Sequence, residues 1–222
     1  MQDLATESPE ELLWNRRYEP HIAEVNGLCD SLKEQKPGSE VLYIDPAHSM
    51  DDCRIVSLFS NQRTNSGEGF ITPGDEEAST RMLGMQWQLG LRPELMMPWN
   101  AYPWIEPNEE PGKLTPANIT EGLKPLLRLL AILPRTSALV AHGNEAHRLA
   151  DQLMKAAPAS IARRGFKTFK VRSLGGRSFA GTPARQQEYL DAIHSAYAEA
   201  MARTGIPRKA LSPPTESHLC AF

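Results

Sequence analysis

Short apolar runs alternate along this chain with longer stretches whose apolar residues recur at helical spacing. Val41-Leu42-Tyr43-Ile44, Arg54 to Phe59, Leu95 to Met97, Ala138-Leu139-Val140-Ala141 and Phe166 to Val171 are brief and rich in strand formers. Between them, Glu76 to Leu89 carries Met82, Leu83, Met85, Trp87 and Leu89 as apolar bulk. Thr115-Pro116 caps a helix predicted to reach Leu133, with Leu123, Leu126, Leu127 and Leu130 on its buried side and Pro125 expected to bend or reset it. His142-Gly143-Asn144-Glu145 starts a helix to Ala156, and Thr182-Pro183 opens a last one through Tyr189, Ile193, Tyr197 and Met201 to Gly205. At the N-terminal end, Ser8-Pro9-Glu10-Glu11 has a capping serine, proline at the first helical position and glutamate three residues after the cap. One helical segment is expected over 8–36, stopped by Pro37-Gly38. Strands separated by helices predict an α/β fold, a three-layer sandwich around a central, mostly parallel sheet. Residues 1–205 read as one domain, and 206–222, with three prolines and little pattern, as a poorly ordered tail.

Composition narrows the class. A chain of 222 residues is long enough for one substantial core. Cys29, Cys53 and Cys220 are odd in number and far apart, which indicates neither a disulfide framework nor a metal cluster. No apolar run approaches membrane-spanning length, and an N-terminus carrying Asp3, Glu7, Glu10 and Glu11 lacks the form of a signal peptide, so a cytoplasmic protein without membrane association is expected. The net charge of −3 argues against indiscriminate coating of nucleic acid. Yet Gln152 to Gln187 contains no acid and carries Lys155, Arg163, Arg164, Lys167, Lys170, Arg172, Arg177 and Arg185. Phosphate binding and a solvated basic face are both consistent with that asymmetry.

Four stretches carry candidate chemistry. Met97-Pro98-Trp99-Asn100-Ala101-Tyr102-Pro103-Trp104 sets one amide among large aromatics and prolines, and reads either as a pocket wall presenting an amide to a nucleobase edge or as an apolar strand end with a turn-forming asparagine. Arg54 to Phe59 runs into the wholly polar Ser60 to Gly67, at the place where open α/β sheets put their ligands. Asp45-Pro46-Ala47-His48 presents a carboxylate and an imidazole on a turn. The loop Arg172 to Gly181 is basic and contains Leu174 and Phe179, which its context leaves exposed. No G-x-G-x-x-G, Walker loop or G-x-S-x-G occurs.

Trp99-Asn100-Ala101-Tyr102-Pro103-Trp104, then the Leu-rich helix with Leu133-Pro134-Arg135, then Leu139-Val140-Ala141-His142-Gly143-Asn144-Glu145-Ala146, resemble the uracil-DNA glycosylase superfamily, particularly its divergent bacterial branches, over Val41 to Arg203. The resemblance implies that family's three-layer fold. It also implies a monofunctional glycosylase that flips a base out of double-stranded DNA, hydrolyses its N-glycosidic bond and leaves an abasic site, as a monomer, with neither metal nor organic cofactor. It assigns base contact to Asn100, with Trp99, Tyr102, Gln62 and His48 around it. Asn61 in Phe59-Ser60-Asn61-Gln62-Arg63 is the residue expected to position the attacking water, with Asp45 as second choice; the oxocarbenium-like sugar needs only a well-placed weak nucleophile.

The family's His-Pro-Ser segment is replaced by Ser173-Leu174-Gly175-Gly176-Arg177-Ser178. Arg177 then stands in for the missing positive charge, with His48 and His142 as alternative electrophiles, and Leu174 or Phe179 fills the vacated stack. Arg163, Arg164, Lys170 and Arg172 are expected to line the DNA track. With no lysine near either motif, no lyase step is expected. The altered motifs favour a modified base over plain uracil, for example a hydroxymethylcytosine derivative of phage DNA. That would spare host DNA and suit an antiviral role. A uracil-repair enzyme and a catalytically silent member that binds DNA or protein remain the alternatives.

Overall fold

The computed structural model describes residues 8–60, 69–105 and 114–207. In chain order the elements are α1 (Pro9–Arg16), α2 (Ala23–Gln35), β1 (Glu40–Val41), β2 (Ile55–Phe59), α3 (Glu76–Leu89), β3 (Met96–Asn100), β4 (Trp104–Ile105), α4 (Pro116–Ile132), β5 (Ala138–His142), α5 (Asn144–Ala156), α6 (Ala159–Ala162), β6 (Lys167–Val171) and α7 (Pro183–Arg203). Strands β2, β3, β5 and β6 form one sheet in the order β3-β2-β5-β6, every pair parallel. β2, β3 and β5 are almost continuously apolar and wholly buried because helices cover both faces there, whereas the edge strand β6 exposes Lys167 and Lys170. The expected α/β sandwich with a central parallel sheet is the fold observed.

Pairing register and side-chain alternation divide the strands between two faces. Ile55, Ser57 and Phe59 share a face with their partners Met96, Pro98 and Asn100 on β3 and Ala138, Val140 and His142 on β5. Helices α3 and α7 cover this side, where the Ser57 and Tyr197 hydroxyls meet at 2.6 Å. The opposite face carries Val56, Leu58, Met97, Trp99, Leu139 and Ala141 under α2, α4 and α5.

Four expectations about the elements are corrected. The single helix over 8–36 is two helices, because Pro20 has no N–H for a helical ladder and α2 restarts only after Glu19 O has accepted from Ile22 and Ala23. The strand Val41–Ile44 shrinks to a two-residue ribbon antiparallel to β4, plus one bridge from Tyr43 to Phe70. Pro125 does not reset α4, which runs unbroken through it; burial of Ile119, Leu126, Leu129 and Leu130 outweighs one lost backbone bond. The domain also does not stop at 205, since Ile206 is buried and donates its N–H to Met201 O; residues 208–222 of the expected tail lie outside the described residues.

Helix α4 lies directly against the chain that follows β3. A Cβ on Gly122 would stand 1.8 Å from the Ala101 carbonyl oxygen, so only glycine permits this approach.

Candidate functional site

All four parallel strands end in one row: Asn100, Phe59, His142 and Val171 are paired across the sheet. From β2 the chain leaves through α3 on one face, and from β5 through α5 on the other, so the crevice between the ends of β2 and β5 is the point where such sheets hold ligands. The two ends are tied by Ser60 Oγ, which donates to His142 O at 3.0 Å. Gly143 (φ 85°) turns the chain beside them, and a Cβ there would meet Ser60 Oγ at 2.9 Å and Ser173 Cβ at 3.3 Å.

Asn100 is the anomaly of this row. Its side chain is 1% exposed, and neither its amide oxygen nor its amide nitrogen finds a hydrogen-bond partner among the described residues. Leaving such a group unpaired costs about 1–3 kcal/mol. By register the side chain emerges on the face carrying Phe59 and Pro98. The neighbouring aromatics do not share its position. Trp99 points to the opposite face and is fully buried; Tyr102 is buried with its hydroxyl accepting from Lys36 Nζ at 2.6 Å; Trp104 donates its indole N–H to Leu32 O at 2.7 Å. The reading of Trp99 and Tyr102 as a base-contacting wall is therefore corrected: they pack the core and hold β3 and β4 in place, and Pro98 and Asn100 are the residues of this stretch on the other face.

That face opens into a cavity of about 520 Å³ lined by Phe59, Phe70, Pro98, Met96 and one side of α3, with Asp45 and His48 on its wall. The sequence singles out Asp45 and His48 but not Phe70. The Phe70 backbone is clamped by Tyr43, whose N–H donates to Gly69 O and whose C=O accepts from Ile71. Its ring lies edge-on to Trp14 of α1 at 5.9 Å, and Arg17 sits 4.1 Å over the Trp14 ring. Gly69 (φ 72°) makes this possible, since a Cβ would stand 2.7 Å from Trp14. A glycine beside a lone aromatic just after a polar run is the signal that could have found it.

Asp45 Oδ1 accepts from Ala47 N at 2.7 Å, which orders the turn. The His48 ring nitrogen Nδ1 lies 2.9 Å from Pro93 O and 2.7 Å from Met96 O. Carbonyls only accept, so Nδ1 carries the proton. Burial lowers the pKa of this imidazole, against the pull of those two carbonyls, and favours the neutral ring.

His142 is held differently. Its Nε2 and the Tyr197 hydroxyl are 2.8 Å apart, and Tyr197 continues to Ser57. Burial pushes its pKa from 6.5 down to about 3. A neutral, fully buried ring bonded into the core is a structural group, and the alternative of His142 as an electrophile loses its support. The unfolded chain takes up a proton as pH falls through 6.5, while the folded protein refuses it until about 3, so stability is whole above 6.5 and lost on acidification. A loss on the order of 2 kcal/mol at pH 5 is expected from this residue, with His48 adding in the same direction. Denaturant unfolding at the two pH values checks it: the difference should narrow in His142→Asn, and an unchanged midpoint between pH 7.5 and 5 would contradict it.

The loop after β6 is folded back, contrary to expectation. Leu174 and Phe179 are buried, not exposed. Arg81 donates to Leu174 O at 2.7 Å and lies 4.4 Å over the Phe179 ring, and Asp75 accepts from Gly176 N at 3.2 Å. In this conformation neither apolar residue is available to enter a duplex.

The basic segment is likewise partly used up by tertiary contacts. Lys170 pairs with Asp151 and Lys167 with Glu199; Arg164 donates to Leu130 O and Leu133 O at the end of α4; Arg172 donates to Ser178 O and stacks on Tyr189. Arg163 and Arg177 are exposed and make no ion pair among the described residues. Asn61 and Gln62 lie outside the described residues. Among the described residues there is no cluster of three or more His, Cys, Asp or Glu placed to hold a metal, and no helix long and apolar enough to cross a membrane. The chain matches no protein-family model, and no curated protein matches it.

Proposed function

We propose that this protein is a monofunctional DNA glycosylase of uracil-DNA glycosylase-like fold, acting on a flipped base larger than uracil. The observation that carries the reading is Asn100: a buried, unpaired amide at the carboxyl edge of a parallel sheet, beside a cavity with two phenylalanine rings on its wall. An amide with both atoms unsatisfied is complementary to a ligand edge that offers a donor and an acceptor side by side, as pyrimidines do. The aromatic rings suit stacking of a planar base.

Size supports the enlarged substrate. A cavity of about 150 Å³ is enough for a benzene-sized ring, and the cavity here is about 520 Å³. Asn61, which directly follows Ser60 in sequence, is the residue proposed to position water; Arg177, exposed on the latched loop, is proposed to meet the phosphate or the departing base. Hydrolysis then transfers the sugar carbon from base nitrogen to water oxygen, and the water proton leaves with the base.

The test is incubation of the full chain with duplexes carrying uracil, cytosine, hydroxymethylcytosine or its glucosylated form, followed by an assay for abasic sites. Release of a modified cytosine is expected. Efficient uracil release with no action on the modified bases would make it a repair enzyme. Tight binding with no release anywhere would make it a silent member, a reading that the burial of Leu174 and Phe179 favours.

A further inference from the structure

The part of the cavity wall around His48 is rich in hydrogen-bond acceptors. His48 hangs from Pro93 O and Met96 O, at the start of β3, while Asn100 ends that strand. Four residues of strand separate them by about 13 Å. Because Nδ1 donates to both carbonyls, the other ring nitrogen, Nε2, is an acceptor, and it makes no hydrogen bond to any described residue. Nearby, Gln86 engages one hydrogen of its amide N–H₂ with Met96 Sδ at 3.9 Å, and its side chain lines the cavity with an amide oxygen available as an acceptor. Asp45 adds a carboxylate whose Oδ1 is held by Ala47 N–H. Each of these three groups offers an acceptor, and at His48 Nε2 and the Asp45 carboxylate no donor accompanies it.

We infer that the His48 end of the cavity is a specificity subsite for hydrogen-bond donors, so that the base taken by this protein carries a substituent ending in hydroxyl or amine groups. The inference rests on the glycosylase reading for the base that carries the substituent. Phosphate and carboxylate substituents are excluded by the same acceptors, which would face them with like polarity. A purely apolar substituent would leave His48 Nε2 and Gln86 Oε1 desolvated without a partner, the arrangement by which a polar site rejects an analogue lacking its hydroxyl.

The experiment uses free bases, so that no DNA and no bond cleavage enter. The wild-type full chain, labelled with ¹⁵N at histidine, is titrated with glucosylated 5-hydroxymethylcytosine base. A parallel titration uses the analogue whose sugar ring is replaced by an unsubstituted tetrahydropyran. The expected result is an Nδ1–H tautomer at His48, a shift of its Nε2 resonance on adding the hydroxylated probe, and binding at least about tenfold tighter than the analogue. In His48→Phe, that preference should fall to within about twofold.

A His48 ring protonated at Nε2 at neutral pH overturns the inference, as does equal affinity for the two probes or failure of the hydroxylated probe to bind. A preference that survives His48→Phe overturns the role of His48. Should the variant not fold, the tautomer and the Nε2 shift in the wild type decide alone. A wild type that prefers the hydroxylated probe yet releases no base from any duplex sinks the glycosylase reading and leaves the subsite standing. Release of modified bases with no probe preference does the reverse.

Discussion

Replacing Asn100 by leucine should abolish base release and leave the protein at least as stable as the wild type, with a gain of about 1 kcal/mol expected. The two effects have opposite signs because they come from the same unsatisfied amide. In the free protein, the Asn100 oxygen and nitrogen are buried without partners, and that desolvation burdens the folded state. A leucine of similar bulk removes the burden. With a ligand seated, the same two atoms become the hydrogen bonds that hold and orient it, and their removal should cost at least about a hundredfold in kcat/KM. Thermal or denaturant unfolding of Asn100→Leu beside a single-turnover assay separates the outcomes. An asparagine serving the fold would show both activity and stability falling together, and that result would remove the central support of the proposed function.

Gly122→Ala should be among the most damaging single methyl additions in the chain, destabilising by about 3 kcal/mol or more. The added Cβ would fall 1.8 Å from Ala101 O and 3.0 Å from its carbonyl carbon, and both belong to backbone, not to a side chain that could swing away. Helix α4 would have to lift from the end of β3. Because Ala101 directly follows Asn100, whatever fold survives should also have lost the placement of the amide. Gly84→Ala is the matched control: it is a helical glycine whose added methyl would have nothing within 4 Å, and a gain of up to about 1 kcal/mol from helix propensity is expected there. Denaturant midpoints of the two variants decide it, and similar values would show that α4 has slack against Ala101.

These two positions also mark how far a sequence reading reaches. The class of fold was legible because it rests on local periodicity. Ile55–Phe59 and Ala138–His142 are apolar for nearly their whole length, and Asp75, Thr115 and Thr182 cap the helices that follow with their own side chains. Asn100, Asp45 and His48 were legible as chemistry because polar groups set in apolar or Pro-rich stretches are conspicuous. Which way they point was not. Alternation puts Trp99 and Asn100 on opposite faces, but only the pairing of β3 with β2 says which face is core and which borders the cavity.

The same limit explains the misreadings. A segment that is acid-free in sequence is not so in the fold, because α5 and α7 bring Asp151 and Glu199 beside Lys170 and Lys167. Leu174 and Phe179 look exposed in a glycine-rich loop until Arg81, nearly a hundred residues earlier, draws that loop down. Phe70 carries no motif, and its role depends on Trp14 and Tyr43, which are distant in sequence and adjacent only in the fold. The elements, their order and the residue types available for chemistry follow from interactions within a few residues, so the bare chain already specifies them. Which of those residues face one cavity, and which are consumed in holding it open, emerges only in three dimensions. Burial, charge pairing and side-chain direction are set by neighbours that the chain brings together only when it closes.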